Sequence, residues 1–538
     1  MFYLFYSIIS KSILDFINGV FKLQKKVNRA LFWFILIQPF LDVYWLYKKP
    51  LDTLLKFSIP TILRILGIII IFLMFFSIKS NRNRLRRQPL TIAYIIILLL
   101  YSISHLWVVN HFTGLSPTSY GYSNVSEIFY LIRMSIPLVL IYVTRYTPIT
   151  TKTFENVIRI VSALFSFTIV LSNIFTVSLT SYHINGAKRI SANIFSWFSP
   201  NHYSFAKLAS KGFFFKANTV SAILFMLLPI MLYIMYKHFN IVNVLLVCVQ
   251  SLAMILLGTK VATFGIFADF LAFFVFYLIH IYIFRNEKKS NKFLFTSLGI
   301  IVIMGCISSF SPMFKRNADV DSLITYRSKI GHETHLNDEL EKGLKKYHGK
   351  QEEKFLKDFI RKNYTTYSLR KQFVLTQYSY KYDPYFWLDV LREPASERIN
   401  YRHLDLKMLK QVMKDNHNQY KYLFGISFIR ENNIFPLEHD YLNQFFSLGI
   451  LGVLIFLGVY IWYVAFAIYS WIRYKGTRTL LMSTLIISSS FLLGASILAG
   501  NVMEYLTATI IFAFILGFMR QKLDDTYKST TKSEEKNS

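Results

Sequence analysis

One histidine stands where the longest polar segment of the chain meets an apolar run. His439 lies in the stretch Pro436-Leu-Glu-His-Asp, and Pro436 suits the first turn of a helix, where its missing N–H is not needed. The helix dipole favours a neutral imidazole there, whereas Glu438 and Asp440 favour a protonated one, so the sequence leaves its charge open. A neutral imidazole accepts a proton from a hydroxyl, which is general-base chemistry. The alternative is that His439 is an interfacial polar residue without a chemical role.

Four basic side chains are candidates for binding an anion on the same side of the membrane. Arg398 and Arg402 precede the histidine in the polar segment, Lys260 lies at a turn between apolar runs, and Arg133 interrupts an apolar run. Arginine binds anionic oxygens bidentately, so the set suits an anionic ligand. A charge such as Arg133 inside a span requires a partner or a water-filled cavity. Simpler roles stay open: Lys260 extending to lipid headgroups, and either arginine pairing with a nearby carboxylate.

Motifs for other chemistries are missing from the sequence. It contains no glycine-rich phosphate loop, no Cys-x-x-Cys pair and no His-Glu-x-x-His motif. The acidic pair in Asp319-Val-Asp321 has the form of a metal-binding pair in many glycosyltransferases, but we interpret it as a solvated loop. We therefore expect no metal, no cofactor and no nucleic-acid partner. Cys248 and Cys306 both fall within apolar runs, so we expect no disulfide in the polar segment.

Long apolar runs must position these residues. Hydrophobic residues make up 54% of the 538 residues, and runs near the ~18–20 residues that cross a bilayer recur along the chain. The fold class predicted is an all-α polytopic membrane protein with about twelve transmembrane helices. The expected spans are about 30–47, 57–78, 90–109, 127–146, 157–177, 219–236, 241–257, 261–284, 293–310, 440–471, 480–498 and 502–518.

The charge distribution predicts the orientation of these spans. The net charge is +30, and basic turns such as Lys79–Arg87 indicate cytoplasmic loops, which places both termini in the cytoplasm. The excess positive charge outside those turns suits an anionic ligand. The predicted organisation is an amphipathic cytoplasmic-face segment (1–29, with a true span as the alternative), spans one to nine (30–310), a large, mostly helical extracellular loop domain (311–436), spans ten to twelve (437–519) and a disordered cytoplasmic tail (520–538).

The residues around His439 resemble the signature of the O-antigen ligase and polymerase superfamily. Members have a His-Asn or His-Asp pair at the end of a large external loop, followed by a Gly-x-x-Gly helix start, as in His439-Asp440 and Gly449 with Gly452. Relatives also carry an arginine upstream, for which this chain offers Arg398 and Arg402. Three other stretches resemble elements of the family: Leu423-Phe-Gly425, Gly212-Phe-Phe-Phe-Lys-Ala-Asn218 and Gly258-Thr-Lys260.

This resemblance implies a GT-C-like, multi-pass glycosyltransferase of the plasma membrane. It implies inverting, metal-independent transfer of a glycan from undecaprenyl pyrophosphate to an acceptor hydroxyl on the outer face. His439 would be the catalytic base. The residues implied to bind the donor diphosphate are Arg398, Arg402, Lys260 and Arg133, and those implied to support the motif are Asp440, Gly449, Gly452, Gly425 and Asn218.

The resemblance also implies the partners. They are the lipid-linked oligosaccharide donor, a glycan acceptor, membrane lipid, and a flippase and chain-length regulator of the same pathway. Polymerisation of cell-surface polysaccharide repeat units is the function that we expect. The alternatives are a ligase that attaches a finished glycan to another acceptor, and a flippase or transporter of lipid-linked oligosaccharide.

Overall fold

Apolar runs fold as helices throughout the chain, because a helix satisfies its own backbone polar groups in a medium without water. The computed structural model describes residues 23–47, 58–114, 120–182, 187–199, 203–329, 332–434 and 437–537. All regular secondary structure within those ranges is helical. In the part of the chain that the structure describes, ten helices are long and apolar enough to cross a membrane. The predicted all-α polytopic fold is therefore confirmed.

The helices are numbered here in chain order. They are α1 (23–36), α2 (Gln38–Leu41), α3 (Tyr44–Tyr47), α4 (Ile59–Ser77), α5 (Lys79–Arg86), α6 (Pro89–Asn110), α7 (Asn124–Tyr146), α8 (Thr151–Ile174), α9 (Phe205–Leu208), α10 (Ala217–Lys237), α11 (Ile241–Leu257), α12 (Lys260–Leu278), α13 (Asn291–Ser308), α14 (Pro312–Lys329), α15 (His332–Lys346), α16 (Lys350–Asn363), α17 (Pro384–Leu391), α18 (Ala395–Ile399), α19 (Tyr401–Asp415), α20 (Lys421–Phe424), α21 (Phe428–Ile434), α22 (Asp440–Gly452), α23 (Gly458–Arg473), α24 (Leu480–Leu498) and α25 (Leu506–Asn537).

Two of the predicted spans do not count among the ten long apolar helices. The span Ile241–Leu257 has its predicted bounds as α11 but is only 17 residues long. The first predicted span is divided into α1, α2 and α3, with one break at Ile37, directly before Gln38-Pro39, and another at Asp42-Val43. Proline has no N–H to donate and its ring crowds the preceding turn, so the helix cannot continue unbroken through this point.

The chain divides into two compact units. The first, the membrane-helix unit, comprises Met1–Leu98, Ile132–Phe314 and Phe456–Ser538. At its centre lies α10, whose apolar stretch is 94% buried. This helix packs against α8, α11, α12 and α24. A helix that is apolar on all sides and buried in this way forms the core of a bundle.

Two charged residues of this unit interrupt apolar runs and lie in the protein interior. Asp42 and Arg64 are both buried. The Arg64 guanidinium donates to the Gln38 amide oxygen at 2.8 Å and to the Thr507 hydroxyl at 2.7 Å. Thr507 in turn donates to the Asp42 carboxylate at 2.7 Å. Both charges therefore have polar partners within the helix bundle, as burial in an apolar environment requires.

The second unit, the loop unit, comprises Leu99–Leu131 and Lys315–Ile455. Its own hydrophobic core contains Leu340, Phe359, Trp387, Leu404 and Met408, all buried. The segment 311–436 was predicted to be mostly helical, and its described residues form the helices α14 to α21. The unit has an independent core because its helices are amphipathic and each must bury one face.

Three local predictions differ from the structure or lie outside it. Asp319-Val-Asp321 falls within α14 and not in a loop, because the segment continues from Pro312, which is favoured at the first position of a helix. The tail predicted to be disordered continues α25 to Asn537, since extending an existing helix requires no new nucleation. Pro436 lies outside the described residues, and α22 itself begins at Asp440.

Candidate active site

His439 occupies the N-cap of α22 in the loop unit. Its backbone is extended, with φ −149° and ψ 96°, and its carbonyl accepts from the Asn443 N–H at 2.8 Å. The imidazole is half-buried, while Asp440 in the first helical turn is buried. The predicted position at the start of an apolar helix is therefore confirmed: the histidine is the residue from which the helix begins.

Arg402 reaches the residue that precedes this histidine. From α19, its Nη2 and Nε atoms donate to one Glu438 carboxylate oxygen at 2.7 and 3.1 Å. The two side chains are 39% and 33% exposed, so the ion pair faces solvent without being fully hydrated. The contact ties the Arg402 guanidinium to the side chain of the residue that precedes His439 in the chain. It is the arrangement expected if an anionic group and a base are to be used together.

Arg398, the other candidate for the family arginine, has a different environment. Its side chain is 3% exposed and forms an ion pair with Glu333 at 2.6 Å. Its Nη1 donates to the carbonyls of Leu391 and Glu393 at 2.9 and 2.7 Å. A buried guanidinium bound to two carbonyls and a carboxylate holds its surroundings together and has little access to a ligand. The geometry thus favours Arg402 as the anion-binding arginine.

Two charged residues that the sequence analysis missed lie around Arg402. Arg370 lies over the Tyr401 ring, with its guanidinium carbon 3.5 Å from the ring centroid. Asp405, one helical turn after Arg402, is buried. The pKa of Asp405 is raised to about 8, chiefly by burial; Arg370 lowers it, the nearby Glu438 raises it and Arg402 lowers it, and the raised value is the net result. The site therefore contains two guanidinium groups around a buried carboxyl.

The sequence signals for these two residues are unequal. Asp405 follows Arg402 at the i, i+3 spacing that puts two side chains on one face of a helix, so it could have been found. Arg370 comes from a separate segment before a π-helix at Phe373–Gln377. Only the packing of that segment on Tyr401 brings it to the site, and no motif indicates it.

Gly425 and Gly449 allow two backbone segments to touch beside the start of α22. Their φ values are +76° and +70°, and α22 is kinked at Gly449. A Cβ on Gly425 would lie 2.4 Å from the Ser447 carbonyl oxygen, and one on Gly449 would lie 2.3 Å from the Leu423 carbonyl carbon. Both the left-handed backbone and the contact require glycine. The motif glycines therefore act by joining Leu423-Phe-Gly425 to the helix that carries His439.

Backbone hydrogen bonds complete this junction. Next to the kink, the carbonyls of Phe446 and Ser447 accept from the N–H groups of Ile426 and Ser427 at 2.8 and 3.1 Å. The carbonyl of the next residue, Leu448, accepts from the Tyr101 hydroxyl at 2.6 Å. A Cβ on Gly452 would lie 2.3 Å from that hydroxyl oxygen. Gly452 thus leaves room for the Tyr101 hydroxyl that donates to the Leu448 carbonyl.

A buried histidine and carboxylate support the same junction from α6 and α7. The His105 ring bonds the Phe424 carbonyl through Nδ1 at 2.7 Å and Glu127 through Nε2 at 2.9 Å. The Glu127 carboxylate also accepts from the Phe428 N–H at 3.1 Å, at the N-terminus of α21. Sequence analysis did not find this pair, because both residues lie in apolar helices distant from the motif.

The other predicted site residues lie in the membrane-helix unit. Lys260 is exposed and begins α12, directly after a turn formed by Gly258 with φ +68° and the N-cap Thr259. Arg133 is half-buried within α7, and Asn218 is partly buried in the first turn of α10. The tight turn predicted before Lys260 is confirmed. Donor binding by Lys260 and Arg133, and motif support by Asn218, stay predictions.

Within the described ranges, no group of three or more His, Cys, Asp or Glu side chains is arranged to hold a metal ion. Cys248 and Cys306 are free thiols, as expected from their apolar surroundings.

The helical fold and the site together define a polytopic membrane protein. His439 lies at the N-terminus of an apolar helix, and Arg402 pairs with the residue before it. The family model described as "O-antigen ligase like membrane protein" matches residues 24–525. Because the match covers nearly the whole chain, the protein belongs to this family of O-antigen ligase-like membrane proteins. A search of curated proteins finds no match.

Proposed function

We propose that the protein is a membrane glycosyltransferase that moves a glycan from an undecaprenyl-diphosphate donor to an acceptor hydroxyl on the outer face. The observation that carries this proposal is the pairing of Arg402 with the residue before His439. It puts a ligand for phosphate oxygens next to a candidate base at a helix N-terminus. Membership of an O-antigen ligase-like family supports the same class of reaction.

The proposed step is a single displacement with inversion. The acceptor oxygen attacks the anomeric carbon of the donor sugar, and the bond from that carbon to the diphosphate oxygen breaks. The diphosphate leaves with the electron pair, and the guanidinium of Arg402 stabilises its charge. His439 takes the proton from the attacking hydroxyl. This sequence of events uses no nucleotide and no metal ion.

Within this reaction class, we propose polymerisation of polysaccharide repeat units, with ligation of a finished glycan as the second candidate. The polar loop unit supports an enzyme over a flippase. It has a core of its own and holds His439 and Arg402, and moving a lipid across a membrane requires no base.

The in vivo test uses His439→Ala and Arg402→Ala in the producing cell, with His417→Ala as the control. His417 is an exposed imidazole of the same unit. Both site variants should stop polymer formation and leave single repeat units on the lipid carrier, where an external glycosidase digests them. The control should make normal polymer. If the accumulated units resist the glycosidase in intact cells, the protein is a flippase and the proposal fails.

A further inference from the structure

Glu438 already occupies the anion-binding face of Arg402. Its carboxylate receives two N–H bonds from that guanidinium, which are the bonds that phosphate oxygens of a donor would require. A carboxylate and a phosphate group cannot use the same donor groups at the same time. Donor binding at Arg402 therefore requires that Glu438 be displaced.

The surroundings of the pair allow this exchange. About a third of each side chain is exposed, so a ligand can approach from solvent. Arg370 lies on the ring of Tyr401, the residue that precedes Arg402. Both arginines interact electrostatically with the Asp405 carboxyl. Among the described residues, no hydrogen bond uses the Arg370 guanidinium, so its N–H groups are available to a second phosphate.

The consequence for the base follows from chain connectivity. Glu438 is bonded directly to His439, whose own backbone is extended at the N-cap of α22. A movement of the Glu438 side chain away from Arg402 removes one of the contacts that hold this segment. The position of the imidazole is thus linked to what occupies the guanidinium.

We propose that Glu438 is an internal competitor for Arg402, that the donor's diphosphate displaces it, and that this exchange couples donor binding to the placement of His439. The inference rests on the proposed function, because it assigns a role to Glu438 in that reaction. A diphosphate carries more negative charge and more acceptor oxygens than one carboxylate, so it wins the exchange. A monophosphate has fewer of both, and the competitor therefore makes the site selective for diphosphates.

The test measures donor KM, and inhibition by inorganic pyrophosphate and by inorganic phosphate, with purified full-length protein. Glu438→Gln keeps the side-chain shape and removes the charge. It should lower the donor KM and the pyrophosphate Ki by roughly two- to fivefold, the range that a half-exposed ion pair supports. It should also reduce the ratio of the phosphate Ki to the pyrophosphate Ki. Glu438→Asp, which retains a carboxylate, should keep the wild-type preference for pyrophosphate.

The matched control is Glu341→Gln. Glu341 forms an ion pair with Arg392 at 2.9 Å in the same unit, with both side chains 50% exposed. Glu341→Gln should leave the donor KM and the pyrophosphate Ki unchanged. A second control is the double variant Arg402→Ala with Glu438→Gln, in which the gain from Glu438→Gln should disappear because the contested guanidinium is absent.

The inference is overturned if Glu438→Gln leaves KM and Ki unchanged or raises them while the wild-type protein transfers glycan. In that case the ion pair only positions Arg402. A different result identifies failure of the proposed function: wild-type protein that neither transfers glycan nor responds to pyrophosphate. The two failures are therefore distinguishable in one set of measurements.

Discussion

At the residue scale, two arginines close together in sequence have different surroundings. Arg398 and Arg402 lie in adjacent short helices, and both fit the upstream arginine of the family. The sequence could not separate them, because the distinction depends on which carboxylate each one meets. Arg398 meets Glu333 in the interior, and Arg402 meets Glu438 beside His439.

Alanine substitution should distinguish a stabilising function of Arg398 from a function of Arg402 in glycan transfer. Arg398→Ala leaves the Glu333 carboxylate and two carbonyls without their partner, and breaking a buried pair of this kind costs about 3–5 kcal/mol of stability. Its abundance in the membrane and its melting temperature should fall. Arg402→Ala should keep normal abundance and lose about 10²–10³-fold in transfer rate, as removal of one charge-stabilising donor does. Equal melting temperatures for the two variants would contradict the assignment.

The buried carboxyl of Asp405 should make stability depend on pH. Its pKa is raised from 3.8 to about 8 in the folded protein, so the folded state binds the proton more tightly than the unfolded state does. Stability is therefore greatest below pH 4 as far as this group is concerned, and falls as pH rises from about 4 to 8.

The substitution Asp405→Asn should remove this dependence. We expect it to raise the free energy of unfolding at pH 9, and to raise it by clearly less at pH 5, where the folded carboxyl is still protonated. Thermal unfolding of the purified protein at both pH values measures the effect. A loss of stability at pH 9 would show that the carboxylate is well paired by Arg370 or Arg402.

At the element scale, sequence patterns predicted helices better than their interruptions. The spans Ile241–Leu257 and Leu480–Leu498 have their predicted bounds, because their polar flanks limit the apolar run at both ends. The kink of α22 at Gly449 was not predicted. It depends on a contact with Gly425, which lies before another helix, and local periodicity contains no information on such a contact.

The glycine junction gives a prediction at this scale. Gly425→Ala and Gly449→Ala each put a Cβ within 2.4 Å of backbone and force a left-handed conformation on alanine, which alone costs about 1–3 kcal/mol. Both variants should reduce membrane abundance and transfer together. Gly494→Ala is the control, since its Cβ would meet nothing within 4 Å. Wild-type abundance of the two junction variants would mean that the helix can straighten.

At the scale of the whole molecule, the sequence predicted the class of fold and the position of His439, and it missed Arg370 and the His105–Glu127 pair. The fold class follows from composition, and the position of His439 follows from residues that are its neighbours in the chain. The missed residues are brought together by tertiary packing within the loop unit. Their discovery required a structure because each lies outside the motif that it supports.

The predicted orientation of the chain can be tested by cysteine labelling. In a chain with Cys248 and Cys306 replaced by serine, Lys350→Cys should react with a membrane-impermeant maleimide in intact cells, because 311–436 is expected outside. Arg86→Cys in α5 should react only after lysis, since basic turns stay in the cytoplasm. Both positions are exposed in the structure. Labelling of Arg86→Cys in intact cells would reverse the orientation and move the site to the cytoplasmic face.

The central claim is that His439 is the general base of glycan transfer. The most direct test is the transfer rate of purified His439→Ala with a saturating lipid-linked donor, beside wild-type protein and His417→Ala. Loss of a general base lowers a rate by about 10²–10⁴-fold, whereas loss of an exposed imidazole changes stability by less than about 0.5 kcal/mol and should leave the rate unchanged. The account predicts the large loss for His439→Ala alone, at normal melting temperature. A wild-type rate for His439→Ala would contradict it.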